Sequence, residues 1–221
     1  MTSQSIIDTV SSMSSILNRQ PGRPRQFDTK EVLKIVQNLF WEKGYKATSL
    51  ADLINATGLH KGSLYRAFGG KKELYLLSLE NYMNDMFNET IAIASQHSSP
   101  LAALQSILFH IIDTAENDNS CSKGCMIVNS VVQLSEEDND LQILIKHYYE
   151  KRFNALTELI KQGQTMCEIK TTTAAPLQAL MIMTFMSGLA TTMKSQLYFA
   201  PKKQLNARDQ VDTFIQSVIK A

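Results

Sequence analysis

The sequence predicts an all-α fold, and three observations support this prediction. Nine Gly and five Pro among 221 residues are too few for a many-stranded or linker-rich chain. Long stretches without either residue carry apolar side chains at three- and four-residue steps, which is the period of an amphipathic helix. Hydrophobic residues make up 44% of the chain and charged residues 19%, as in a soluble protein that can bury a core.

The first three predicted helices are short and separated by glycine. The segment Asp28-Thr29-Lys30-Glu31 has the form of a capping box, so a helix is expected to begin there and end at Gly44. Thr48-Ser49 supplies hydroxyls for a second start, and that helix is expected to end near Gly58. A third helix is predicted from Lys61 to Phe68. Helix, tight glycine turn and helix form the outline of a helix-turn-helix.

The rest of the chain has helical periodicity, with no internal repeat and no clear strand. Helices are expected over about 71–96, 100–116, 125–132, 136–163 and 174–197, and from about 207 onward. The predicted organisation is a flexible Ser-rich tail over 1–21, a helix-turn-helix domain over 22–72 and a larger helical domain over 73–221. Between Lys170 and Lys194 lie 23 uncharged residues, a length that could span a bilayer. Their many Thr, Ser and Gln residues favour a helix buried between helices, so no membrane association is expected.

The net charge of +1 conceals a division along the chain. Residues 1–75 hold 11 Lys and Arg against 6 Asp and Glu, whereas residues 76–221 hold 11 against 15. This asymmetry suggests that the N-terminal part of the chain binds a polyanion. Gly22-Arg23-Pro24-Arg25 cannot be helical, and the Arg23 and Arg25 side chains on such an arm would fit the minor groove of DNA. A solvated linker is the alternative interpretation of this tetrapeptide.

The segment from Phe27 to Leu74 resembles the DNA-binding domain of the TetR/AcrR family of bacterial transcriptional repressors. The downstream helical layout and the segment from Gly124 to Asn129 are also similar to that family. The resemblance is carried by Phe40, Gly44-Tyr45, Thr48-Ser49-Leu50, Ile54, Gly58, Lys61-Gly62-Ser63-Leu64-Tyr65, Phe68, Lys71 and Glu73-Leu74.

Physical chemistry and the resemblance together predict the DNA contacts. On the third helix Lys61, Ser63 and Arg66 face away from Leu64 and Phe68, so they can reach bases or flanking phosphates. Gly62 leaves room for the backbone to approach. Thr48 and Ser49 lie at a helix start that can bind a phosphate. The resemblance implies that Tyr65 and Lys71 contact the DNA backbone. His60 is a further predicted contact, and it stands where the family commonly has Ser or Thr.

A regulator of this type is expected to bind a palindromic operator as a homodimer, because one short helix reads too few bases. The predicted dimer interface comprises Leu177, Met181, Phe185, Gly188, Val211, Phe214, Ile215 and Val218. The alternative is that these apolar residues form intramolecular core.

The resemblance also implies a small-molecule pocket in the middle helices, whose occupant releases the protein from DNA. We expect an apolar or aromatic inducer, held by Met86, Phe87, Phe109, His110, Met126, Asn129, His147, Tyr148, Met183 and Met186. Core packing is the alternative for each of these residues. A competing hypothesis is a thiol-based redox or electrophile sensor that uses Cys121 and Cys125, which flank Lys123.

Several other functions are disfavoured by the sequence. It contains no Gly-rich phosphate loop, nucleophile elbow or metalloprotease helix, so an enzyme is not expected. Its Cys and His residues lack a compact ligand spacing, so neither a metal nor another cofactor is expected. Three Cys and no leader-like N-terminus predict a cytoplasmic protein.

Overall fold

The computed structural model describes residues 27–117, 123–133, 138–195 and 207–221. These residues form α-helices and contain no β-strand beyond one isolated bridge, between Ile169 and Lys220, so the predicted all-α fold is confirmed. The helices are α1 (Thr29–Lys43), α2 (Leu50–Thr57), α3 (Lys61–Phe68), α4 (Lys71–Ser95), α5 (Pro100–Asn117), α6 (Met126–Gln133), α7 (Asn139–Thr165), α8 (Ala175–Lys194) and α9 (Ala207–Phe214), the last continuing as a π-helical turn, Ile215–Ile219. The predicted tail, Arg23, Arg25 and Cys121 lie outside the described residues.

The described residues pack into two compact units. The first contains 27–82 and 138–144, and the second contains 83–117, 123–133, 145–195 and 207–221. The predicted boundary after residue 72 therefore differs from the observed division, which falls within α4. The reason is local packing: Tyr82 on α4 lies beside Trp41 on α1, with ring centroids 5.2 Å apart, and Asn81 donates a hydrogen bond to the Gln37 side chain.

The first unit is held by an apolar core and two well-formed helix starts. Val36, Phe40, Leu53, Leu64 and Leu74 are at most 2% exposed. α1 begins at Asp28, as predicted, and the Asp28 carboxylate accepts the Lys30 N–H. A complete capping box is found at the start of α2, where Ser49 and Asp52 exchange backbone and side-chain hydrogen bonds.

The second unit has a larger core, built from α5, the later part of α7, α8 and α9. Its fully buried residues include Leu108, Ile160, Ala179, Val211 and Ile219. The turn after α7 joins the end of the chain through two backbone hydrogen bonds, from Lys170 N–H to Ile219 and from Ala221 N–H to Glu168. No helix in the part of the chain described by the structure combines the length and apolarity needed to cross a membrane.

Candidate nucleic-acid interface and ligand cavity

Helix α3 divides into a buried face and an exposed face. Leu64, Ala67 and Phe68 are buried, which anchors the helix in the first unit. Lys61, Gly62, Ser63 and Arg66 are exposed, as predicted for residues that contact DNA. The exposed face of α3, which does not pack in the core, is therefore polar and cationic.

Among the described residues, none packs closely against Gly62. A Cβ atom added at this position would meet no other atom within 4 Å, and its φ is not in the left-handed region. Glycine inside a helix costs about 0.5–1 kcal/mol relative to alanine. The open space around Gly62 leaves the backbone of α3 accessible at this position.

The turn between α2 and α3 has the geometry of a helix-turn-helix. Gly58 ends α2 in the left-handed conformation, with φ +67°, and its N–H bonds to the Ile54 carbonyl. His60 precedes α3 in extended conformation, and its exposed side chain makes no capping bond. The imidazole is thus available at the start of the recognition helix.

The two predicted hydroxyl contacts at the start of α2 differ in their surroundings. Thr48 is fully buried and its hydroxyl donates to the Gly44 carbonyl at 2.7 Å, so the predicted phosphate contact of this side chain is wrong. The hydroxyl closes the α1–α2 turn instead. Ser49 is exposed, and its hydroxyl pairs with Asp52 at 2.6 Å.

Asp52 joins this helix start to the end of α1. Its carboxylate accepts from Lys43 Nζ at 2.7 Å and from the Ser49 hydroxyl and N–H. Hydrogen bonds from Lys43, and then from Ser49, hold the pKa of Asp52 well below its usual range. The carboxylate therefore stays ionised, and its charge is neutralised locally by Lys43.

Tyr65 and Lys71 each take part in a contact between a lysine ammonium and an aromatic ring. Tyr65 is half-buried, with Lys61 Nζ 5.9 Å from its ring centroid. Lys71 Nζ lies 4.6 Å from the ring centroid of Tyr45, and Tyr45 in turn packs on Tyr75, at 4.9 Å between centroids. Tyr45 was not among the predicted contact residues, although Gly44-Tyr45 was one of the motifs of the resemblance. Its ring positions the Lys71 ammonium.

A second exposed face lies on α8. Leu177, Leu180 and Met181 are 54%, 54% and 39% exposed, and Gly188 is exposed with nothing within 4 Å of an added Cβ. These positions recur at helical spacing and form one stripe with exposed Thr184. Such an apolar stripe on an otherwise well-packed unit is typical of a protein–protein contact.

The remaining predicted interface residues belong wholly or partly to the core. Val211 and Ile215 are at most 1% exposed, so their assignment to the dimer interface is wrong, because α9 uses them to pack inside its own unit. Phe185 and Phe214 stack on each other, with centroids 4.1 Å apart, and both are half-buried against that core, as is Val218.

A cavity of about 250 Å³ opens in the second unit between α4, α5 and α7. Of the predicted pocket residues, Phe87 and Tyr148 line it. The other lining residues were not predicted from the sequence, and they are Thr90, Ile91, Ala94, Ile107, Arg152, Ala155, Leu156, Glu158, Leu159 and Gln162. Arg152 could have been found as the one cation on an otherwise apolar stripe that recurs from Tyr148 to Leu159.

The other predicted pocket residues lie elsewhere. Met126, Met183 and Met186 are buried, Met86 is half-buried, and Phe109 packs against the core with Arg208 over its ring. His147 is exposed, so its predicted position in a pocket is wrong; it occupies the solvent side of α7.

Two of the predicted polar anchors of the pocket have partners of their own. His110 Nε2 lies 3.1 Å from Glu89. Asn129 bonds to the Lys123 carbonyl and accepts from Lys194. Both therefore have structural roles that do not involve this cavity.

Cys125 is half-buried and free. Tyr148 is buried and Tyr149 is half-buried. Burial is the main cause that raises the pKa of each of these tyrosines, so their hydroxyls remain protonated donors at neutral pH.

The geometry of α2, α3 and their turn, with an exposed cationic face, defines a DNA-binding protein of the helix-turn-helix class. Residues 37–77 match the family model described as bacterial regulatory proteins, tetR family. The HTH-type transcriptional repressor ComR of Escherichia coli (strain K12) is 31% identical over 160 residues, which cover 69% of this chain and 73% of ComR. The chain therefore belongs to the TetR family of transcriptional regulators, and it is not an enzyme.

Two solved structures share the fold. One is the TetR family regulator CifR, as a cysteine mutant complexed with operator DNA: 20% identity, TM-score 0.72, 88% of this chain and 96% of that chain. The other is AibR in complex with isovaleryl coenzyme A and operator DNA: 20% identity, TM-score 0.59, 84% of this chain and 95% of that chain.

Proposed function

We propose that this regulator is a ligand-responsive repressor that binds a palindromic operator as a homodimer through α3 and is released by a small, mainly apolar inducer. The observation that carries the proposal is the exposed set Lys61, Gly62, Ser63 and Arg66 on a helix whose other face is fully buried. The N-terminal positions of a recognition helix contact base edges, and cations there also neutralise phosphates. Tyr65, Lys71, Ser49 and His60 would supply backbone contacts around this centre.

Dimer formation is supported by the apolar stripe on α8. Leu177, Leu180 and Met181 expose large side chains that its own core does not cover, and Gly188 permits close approach of a second helix. Two copies are needed because half-sites are read one helical turn apart, about 34 Å. Phe185, Phe214 and Val218 form the half-buried margin of this surface.

Ligand response is supported by the cavity of the second unit. It is lined mainly by apolar side chains, and an occupant acts on DNA binding only if it prefers the released state, with a coupling typically of about 1 to 3 kcal/mol.

The test is a gel-shift titration on the DNA upstream of the protein's own coding region, at rising salt. Affinity should fall linearly with the logarithm of salt concentration, by about 0.9 for each neutralised phosphate. Lys61→Ala should lower the slope by about 1 per subunit. Lys146→Ala, which removes an exposed cation from α7 of the second unit, should leave the slope unchanged. Salt-independent binding, or equal effects of both substitutions, would contradict the proposal.

The thiol-sensing alternative retains one supporting observation, which is that Cys125 is a free and only half-buried cysteine. Its partner Cys121 lies outside the described residues. If quinones or oxidants release the operator from the wild type and not from Cys121→Ser and Cys125→Ser variants, the alternative replaces the ligand-response proposal. Identical release from all three proteins excludes it.

A further inference from the structure

Arg152 is the feature of the cavity that its apolar lining does not explain. The side chain is half-buried, and its guanidinium bonds to the Tyr148 hydroxyl and to the Met186 sulfur, the latter at 2.8 Å. Among the residues that the structure describes, no carboxylate lies within ion-pair distance of it. A neutral hydroxyl and a thioether are weak partners for a guanidinium, which offers five donors in a planar fork.

A cation withdrawn from water without a counter-charge is costly, and the cost is relieved when an anion pairs with it. Guanidinium binds carboxylate with two parallel hydrogen bonds, and this bidentate geometry is the strongest form of such a pair. The Tyr148 hydroxyl adds a further donor, because burial keeps it protonated. Arg152 and Tyr148 therefore form an anion-binding end of the cavity.

The surroundings of this end reinforce its positive charge. Lys151 Nζ lies 4.0 Å from the ring centroid of Phe87, which lines the same cavity. Glu158 is the acidic residue of the lining, and it pairs with Lys161 at 2.8 Å. Glu158 is thus already paired with a cation, whereas Lys151 and Arg152 have no carboxylate in an ion pair with them among the described residues.

The opposite end of the cavity is apolar. Leu159 lies two helical turns beyond Arg152 on α7, or about 10 Å at 1.5 Å per residue. Ala94, Ile107 and Leu156 complete this part of the lining. The volume of about 250 Å³ lies just below the usual range for ligand pockets of about 300–1,000 Å³, which favours a small ligand.

We propose that the inducer is a small amphipathic carboxylate, whose anionic group pairs with Arg152 and Tyr148 while its apolar body lies against Leu156 and Leu159. This inference rests on the proposed ligand response and sharpens it, because the expected apolar or aromatic inducer is replaced by a compound that also carries a carboxylate.

The experiment is calorimetric titration of the purified protein, without DNA, with matched probes. Hexanoate, octanoate, decanoate and a naphthoate are each compared with their own primary amide, which keeps the shape and removes the charge. At least one carboxylate should bind about tenfold or more tightly than its amide, and Arg152→Gln should weaken that carboxylate by about 10- to 100-fold while changing amide binding little. Lys146→Gln removes an exposed cation from the same helix and should change neither affinity.

Three results would overturn the proposal: no carboxylate binds at millimolar concentration, every amide binds as well as its acid, or Lys146→Gln and Arg152→Gln act equally. The acid–amide comparison in the wild type needs no variant, so it stands even if Arg152→Gln does not fold. A gel shift with the tightest probe then separates the two proposals. Binding through Arg152 without release of the operator would support the ligand class and refute the ligand response.

Discussion

Helices α3 and α8 expose surfaces of opposite chemistry, although each is built in the same way. Both bury one face in the core of their own unit and leave the other face uncovered. On α3 the exposed face carries Lys61, Ser63 and Arg66, and on α8 it carries Leu177 and Met181. The chemistry of an exposed face therefore indicates what kind of partner it binds: cations suit a polyanion, whereas an apolar stripe suits a second apolar surface.

The two surfaces also share a glycine that the fold does not require. Neither Gly62 nor Gly188 has a positive φ, and a Cβ at either position would meet nothing within 4 Å. By contrast, a Cβ at Gly163 would lie 2.5 Å from Ile169, so that glycine serves internal packing. Gly62 and Gly188 are therefore the glycines for which we propose contacts with other molecules.

The largest expected effect comes from placing a charge on the α8 stripe. Leu180→Glu should convert a dimer into a monomer of 24.8 kDa, because an unpaired carboxylate would be buried in the interface. Operator affinity should fall with it. Light scattering coupled to size exclusion measures the mass, and Asn154→Glu, an exposed position on α7, is the control. A dimer that persists in Leu180→Glu would refute the assigned surface.

A smaller effect is expected at the start of α2. Ser49→Ala removes the capping hydroxyl, so the free energy of unfolding should fall by about 0.5–2 kcal/mol. Urea unfolding measures this change, while the mass in solution should stay that of the wild type.

The pH dependence of stability gives a second test of the start of α2. The lowered pKa of Asp52 means that its contribution to stability is present above pH 3.8 and is lost as the pH falls below that value. In Asp52→Asn this part of the acid dependence should disappear. An unaltered acid profile would show that the Lys43–Asp52–Ser49 cluster does not stabilise the first unit.

Substitutions of Gly62 and Gly188 give the most direct test of the comparison between the exposed faces of α3 and α8. Gly62→Ala and Gly188→Ala should each stabilise the fold by about 0.4–1 kcal/mol, which raises Tm by roughly 2–4 °C per kcal/mol for a chain of this size. Gly62→Ala should weaken operator binding and leave the dimer intact, whereas Gly188→Ala should weaken dimerisation. Gly163→Ala should instead destabilise. If Gly62→Ala left operator affinity unchanged, the glycine would have no intermolecular role.

The smallest effect is expected at Glu80 on α4, where burial raises the pKa of the carboxyl. A raised pKa means that stability is greatest while the group is protonated and declines as the pH rises through that pKa. Glu80→Gln should therefore raise Tm at neutral pH and change it little at acidic pH. A lower Tm at neutral pH would reveal a favourable partner for the carboxylate.

The order of the first helices could be predicted from the sequence because several of their starts and ends carry local signals, such as Asp28, Gly44 and Gly58. The exposed face of α3 followed from helical spacing in the same way. The sequence could not show that Thr48 is buried. Its hydroxyl bonds to the Gly44 carbonyl, and this contact depends on the conformation of the folded α1–α2 turn. Nor could it separate Val211 and Ile215 from Leu177 and Met181, since apolar stripes look alike whether they face a core or a partner.

The cavity was the least predictable part, because its lining comes from three helices whose relative rotation depends on tertiary packing. Two of ten predicted residues, Phe87 and Tyr148, line it. Methionines were expected to line it because they suit a pliable pocket, but Met183 and Met186 fill the core. Arg152 was missed because a cation on an apolar stripe is readily interpreted as a side chain whose charged end reaches solvent.

Trp41, the only tryptophan in the chain, packs beside Tyr82 within the first unit. Its intrinsic fluorescence is therefore an optical probe of that unit alone, whereas circular dichroism averages over every helix. If the two signals change at different denaturant concentrations, the units unfold in separate steps and a single midpoint does not describe the molecule. Fluorescence quenching at Trp41 on addition of operator DNA would likewise give a label-free binding assay.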